Sequence, residues 1–179
     1  NYFFSYFSNG VKVKKTILMG VLTIELDSFK DFRGEYVETY NEALYKKAGI
    51  KTKFIQDDIS TSKKNVLRGI HGDAKTWKLI SCLYGEFYLV VVNCDKKSKD
   101  FGKWQSFILS DKIRMQVLVP AKYGNAHLIL SKTAIFHYKQ STYYNPKGQF
   151  TYLWNDPSLK IKWPIKNPIL SKRDKTGHR

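Results

Sequence analysis

Residues 65–73 read NVLRGIHGD, which sets an arginine, two glycines, a histidine and an aspartate within one short stretch. A histidine in that setting admits three roles: a hydrogen-bonded structural residue in a strand, a metal ligand, or a base. As a base, a neutral imidazole titrates near working pH and can take a proton from an activated carbon. It then needs a carboxylate to hold its tautomer and support the imidazolium. It also needs a cation beside the carbonyl whose enolate forms. Return of the proton with inverted configuration requires an acid on the opposite face. The chain holds candidates for each part, but spacing alone does not bring them together.

Other chemistries find less in the sequence. A mononuclear metal site in a small barrel wants two histidines two residues apart, with a third ligand converging on the ion. Here Asp73 stands two after His71, no such histidine pair occurs, and His127, His137 and His178 are isolated, so no metal is expected. There is no G-x-S-x-G, and Cys82 and Cys94 form no C-x-x-C. Two thiols make no disulfide framework, which points to a reducing cytoplasm.

The elements that would position these residues are mostly strands. Runs rich in Val, Ile, Phe and Tyr cover 14–26, 77–94, 104–110, 114–120, 126–131, 134–141 and 149–155, separated by Gly, Asp, Asn, Lys and Pro clusters. Strands this short, at this spacing, predict a sandwich or barrel. Residues 83–89, LYGEFYL, read as two strands turning at Gly85-Glu86. Only 41–49, NEALYKKAG, has helical spacing, with a glycine suited to its C-terminal end. The proline-rich tail from 163 is expected to cross the surface as irregular chain. At 179 residues the chain suits one domain. Residues 1–13 read as an extension or tag remnant rather than a signal peptide, and 14–179 as the domain. No window is apolar enough for a transmembrane helix. Net charge is +16, which favours anionic partners. The lysines are scattered rather than gathered on one stripe, so a nucleic-acid surface is not expected.

An ordered series of motifs adds to this reading: FKDFRGEYVETY (29–40), QDDISTSKKNVLRGIHGD (56–73), WKLISCLYGEFYLVVVN (77–93), AHLILS (126–131), YKQSTYYNP (138–146), WNDPSLKIKWP (154–164) and ILSKRD (169–174). The series resembles the dTDP-4-dehydrorhamnose 3,5-epimerase family, a branch of the cupin β-barrels. The resemblance implies an all-β fold, a jelly-roll barrel (double-stranded β-helix) with a minor helix, paired as a homodimer. It implies an isomerase that inverts C3, C5 or both of a nucleotide-linked 4-keto-6-deoxy sugar, with no cofactor. His71 then matches the base, Asp174 of the S-x-x-D motif its partner, Lys78 the cation beside the enolate, and Tyr144 the opposing acid, with Tyr143 its rival. A phenol ordinarily titrates near pH 10 and so can donate at neutral pH. Arg33, Arg68 and Gln56 match positions that hold the nucleotide diphosphate and sugar, Arg because its planar fork binds phosphate oxygens in pairs. Phe29 matches a residue that stacks on the base from the partner subunit. Glu38 and His127 join the substrate-binding set.

The chain departs from the family's usual text at Gly72-Asp73, where an aromatic-glutamine pair is usual, and after His127. Gly72 is expected to make room in the sugar pocket and Asp73 to offer an acceptor to a hydroxyl. The RGIHGD form also resembles epimerases of GDP-4-keto-heptoses in capsule biosynthesis, which stands as an alternative substrate. A 3,4-ketoisomerase would carry a second histidine where Asp73 stands, and a non-catalytic sugar-nucleotide-binding cupin would not need the catalytic set.

Overall fold

In the computed structural model, which describes residues 11–177, the chain runs β1 (Lys12–Lys15), β2 (Leu22–Glu25), β3 (Ser28–Asp31), β4 (Gly34–Val37), α1 (Glu42–Lys47), β5 (Gln56–Lys63), β6 (Leu67–Gly72), β7 (Lys78–Tyr84), β8 (Glu86–Asn93), β9 (Trp104–Ser110), β10 (Met115–Val119), β11 (Tyr123–Ile129), β12 (Thr133–Gln140), β13 (Phe150–Thr151) and α2 (Lys172–Thr176). A six-stranded sheet, β1-β2-β10-β7-β12-β5, packs on a five-stranded sheet, β13-β6-β11-β8-β9, in a jelly-roll sandwich. β3 and β4 stand apart as a two-stranded hairpin.

Strand periodicity explains the layers. Along β8, Phe87, Leu89 and Val91 point between the sheets, where they meet Ile80, Val117 and Phe136 from the other sheet. Val90 and Val92 point the opposite way, under Tyr152, Leu159, Trp154 and Trp163 of the C-terminal segment. A strand covered on both faces reads as a continuous apolar run, as LVVV does. Each fully buried Leu, Ile or Phe contributes about 1.5–3 kcal/mol to this packing. The outer face of the six-stranded sheet is covered by Tyr45 of α1 and by Ile50, packed on Ile24, Leu79 and Leu118.

The expected helix forms over Glu42–Lys47 with Asn41 as its N-cap, and Gly49 follows at φ +93°. Gly85 breaks the strand run as expected, at φ +75°, and a Cβ there would lie 2.2 Å from the Thr133 carbonyl oxygen. The two strands it separates do not pair with each other, because the chain crosses there from one sheet to the other.

Elsewhere the structure differs from the sequence reading. The 14–26 run is two antiparallel strands, β1 and β2, joined by a turn in which Thr16 Oγ1 donates to the Val21 carbonyl. Lys12 and Val13, at the end of the segment set apart as an extension, already pair with Glu25 and Ile24; residues 1–10 lie outside the described residues. Residues 28–37 and 56–72 carry strands that their polar composition concealed. The tail is not simply irregular, since it covers a sheet and ends in α2. Among the described residues no helix is long and apolar enough to cross a membrane.

Candidate active site

His71 sits near the end of β6, opposite Asn125 of β11. Its Nε2 lies 2.5 Å from Oδ1 of Asp174, which is 2% exposed. Ser171 caps α2 and accepts the Asp174 backbone N–H at 3.1 Å, so the S-x-x-D spacing is also a helix N-cap pattern. Arg173 Nε donates to Thr151 Oγ1 at 2.7 Å and ties the same short helix to the sheet. Burial works to raise the Asp174 carboxyl, but hydrogen bonds from His71, Ser171 and the Gly69 backbone outweigh it and hold the group below its ordinary value.

Lys78 opens β7 on the other sheet and is buried. Its Nζ donates to Asn125 Oδ1 at 3.0 Å and lies 5.8 Å from the centre of the Tyr138 ring. Burial pushes its ammonium down to about 8; Asp73 works against that shift and Arg173 with it. His71 and Lys78 thus come from opposite sheets and meet at one cavity of about 550 Å³, lined also by Arg68, Arg173, Tyr144 and Gln56. Three cations on its wall suit an anionic ligand.

Tyr144 lines the cavity at its mouth, half exposed, and its backbone N–H donates to Gln56 Oε1 at 3.0 Å. Tyr143, the rival, is 74% exposed and does not line it. Arg68 Nε donates to Ser62 Oγ at 2.9 Å, which fixes the plane of its fork. His127 forms part of the inner wall, stacked on Phe136 with ring centroids 3.9 Å apart. Burial pushes its imidazole down to about 3, and Nε2 is a buried atom without a partner.

The expectations for Gly72 and Asp73 do not hold. A Cβ on Gly72 would lie 2.5 Å from both Phe150 Cζ and the Tyr123 carbonyl oxygen, so the space is filled by the fold. Asp73 does not line the cavity. Its Oδ1 accepts the backbone N–H groups of Lys75 and Thr76, and its Oδ2 accepts Gln149 Nε2. Phe29, Arg33 and Glu38 also lie away from the cavity. Phe29 and Arg33 belong to the exposed β3–β4 hairpin, where Arg33 pairs with Asp31, and Glu38 follows it, exposed. The hairpin touches the barrel through Arg114 and Glu35, 2.7 Å apart.

Asn125, Arg173 and Tyr138 were missed by the sequence reading, although Arg173 stands beside Asp174 in a capped turn. Burial pushes the thiols of Cys82 and Cys94 up to about 12, which removes both as nucleophiles. Among the described residues, no three His, Cys, Asp or Glu side chains gather as a metal ion would need.

Comparison with known proteins agrees with this geometry. The chain is 36% identical over 173 residues to the dTDP-4-dehydrorhamnose 3,5-epimerase of Shigella flexneri, covering 94% of this chain and 96% of that protein. It is 39% identical over 167 residues to the Salmonella typhimurium enzyme of the same name, covering 90% and 91%. Its fold matches the crystal structure of the Bacillus anthracis dTDP-4-dehydrorhamnose 3,5-epimerase with TDP and PPi bound, at TM-score 0.90 and 33% identity, covering 94% and 98%. It also matches the Legionella pneumophila dTDP-6-deoxy-D-glucose-3,5-epimerase in complex with dTDP-4-keto-L-rhamnose, at TM-score 0.87 and 34% identity, covering 92% and 89%. The family model for dTDP-4-dehydrorhamnose 3,5-epimerase matches residues 15–179, and the chain belongs to that family.

Proposed function

We propose that this chain is an epimerase that inverts C3, C5 or both of a nucleotide-linked 4-keto-6-deoxy sugar of the dTDP type, using its own side chains and no cofactor. The observation that carries the reading is the meeting of the His71–Asp174 pair with Lys78 across one cavity, in a chain of this family. The C4 ketone acidifies the neighbouring C–H bonds. With Nε2 engaged by Asp174, His71 takes the proton at Nδ1, and the Asp174 carboxylate supports the imidazolium. The Lys78 ammonium stabilises the enolate oxygen. The Tyr144 phenol returns a proton to the opposite face. Arg68, its fork fixed by Ser62, and Arg173 hold the diphosphate.

The dTDP form is favoured because related structures carry TDP and dTDP-4-keto-L-rhamnose. The GDP-heptose alternative leaned on Gly72 and Asp73, which the fold itself uses. We further propose a homodimer in which the β3–β4 hairpin brings Phe29, Arg33 and Glu38 to the partner's cavity. Phe32 at 99% exposed and Tyr36 at 62% present apolar surface that suits a covered interface. The catalytic domain takes in β1 from Lys12, ahead of the boundary expected at 14, and the free buried thiols fit a cytoplasmic setting. The test offers dTDP- and GDP-linked 4-keto-6-deoxy sugars side by side. Faster turnover of the dTDP sugar supports the reading, and turnover of neither refutes it.

A further inference from the structure

We propose that Asn125 is a positioning residue for Lys78. It reaches across the barrel to hold the ammonium at the cavity wall, and as a neutral acceptor it leaves the lysine's full charge for the ligand. The inference rests on the epimerase reading and names a residue which that reading does not use.

The geometry supports it from two sides. Lys78 projects from β7 of the six-stranded sheet and Asn125 from β11 of the five-stranded sheet, so their 3.0 Å hydrogen bond spans the interior. Asn125 is itself buried and pairs across from His71. One backbone position therefore sets the base and the cation relative to each other. The β6–β11 register shifts between Asn125 and His127, both of which line the cavity. Irregular pairing of this kind is a common means of re-aiming side chains beside sites.

The acceptor's chemistry matters as much as its place. Among the described residues, Asn125 is the one hydrogen-bond acceptor given to Nζ, and the Tyr138 ring lies on another side. A carboxylate at position 125 would form a closed ion pair and neutralise the charge that the enolate needs. An apolar residue would leave a buried ammonium unheld. The other charged groups acting on Lys78 are Asp73, whose carboxylate is taken up in its own turn, and Arg173 of α2. Burial prevails among these influences and brings the ammonium down to about 8. A neutral partner preserves that poise.

The test reads the lysine directly. Competitive labelling with acetic anhydride across a pH series, followed by peptide mass spectrometry, gives the pH at which the Lys78 amine becomes reactive. The wild type is expected to be half reactive near pH 8, where the ammonium gives up its proton. In Asn125→Asp the charged form gains a carboxylate, so reactivity moves to higher pH by about 1–3 units. In Asn125→Leu the ammonium loses its acceptor and reactivity moves to lower pH. With the dTDP 4-keto sugar, Asn125→Leu loses about 100-fold in kcat with a smaller change in KM, the size expected for a displaced reacting group. Two results overturn the proposal: an unchanged labelling profile in either folded variant, or undiminished kcat in Asn125→Leu. Labelling shifts in a protein that turns over no sugar refute the epimerase reading and leave the Lys78–Asn125 link standing.

Discussion

Replacing Asp174 by Asn keeps the shape of the side chain and removes its charge, which isolates what the carboxylate does for His71. The carboxylate is 2% exposed and lies 2.5 Å from His71 Nε2, so its effect is little screened by solvent. A hydrogen bond to a charged group contributes a net ~1.5–3 kcal/mol. At 1.36 kcal/mol per tenfold in rate, the upper figure is about two orders of magnitude. Asparagine can also turn its NH2 toward the ring and favour the wrong tautomer, an error that costs about 10⁴ in a serine-protease triad. We expect kcat to fall by about 10²–10⁴ with KM little changed. The assay is the rate of solvent deuterium incorporation into a dTDP 4-keto-6-deoxy sugar, read by mass spectrometry. A second readout is thermal. The Asp174 carboxyl is held below its ordinary value in the folded state, so it adds stability above the unfolded pKa and loses it as pH falls through the folded one. The difference in Tm between wild type and Asp174→Asn should therefore shrink on acidification. A variant that keeps kcat within about threefold of wild type would refute the assignment of Asp174 as the support of an imidazolium.

Tyr144→Phe should lose about 10²–10⁴ in kcat as a missing general acid does, while Tyr143→Phe, outside the cavity, stays within about twofold. Lys78→Met should abolish turnover without lowering Tm, because relief of a buried cation offsets the acceptor left unpaired at Asn125. With its folded pKa near 8 and an ordinary value of 10.5, Lys78 should make the wild type lose activity as pH rises through about 8. Between those values the unfolded chain binds more protons, so the same group makes stability rise with pH, which a Tm series checks. Gly72→Ala should lower stability by about 1–3 kcal/mol through overpacking against Phe150 and the Tyr123 carbonyl, measured by urea unfolding. Light scattering should find a dimer, and Phe29→Ala with Arg33→Ala should raise KM more than it lowers kcat.

Much of the barrel was legible because buried strands write themselves in apolar residues. The LVVV run of β8 and the alternation of β12 needed no further context. β5 escaped because it is an edge strand with Asp57, Thr61 and Lys63 on its outer face, and its inward polar residues Gln56, Asp58 and Ser60 line a cavity rather than a core. The β3–β4 hairpin escaped because its strands are short and exposed. In the site, His71, Lys78, Tyr144 and Asp174 were found through the order of motifs, and the structure brings all four to one cavity. Asn125 was invisible, since only the fold brings β7 and β11 face to face. Gly72 was misread because a missing side chain resembles space until the neighbour that fills it, Phe150, is known.

The central claim is proton exchange next to the ketone by His71. Its most direct test is to incubate the wild type and His71→Asn with a dTDP 4-keto-6-deoxy sugar in D2O and follow the sugar's mass. The account predicts that the wild type adds one or two deuterons, at C3, C5 or both, while His71→Asn adds none above the rate without enzyme. No exchange by the wild type, or equal exchange by the variant, would contradict it.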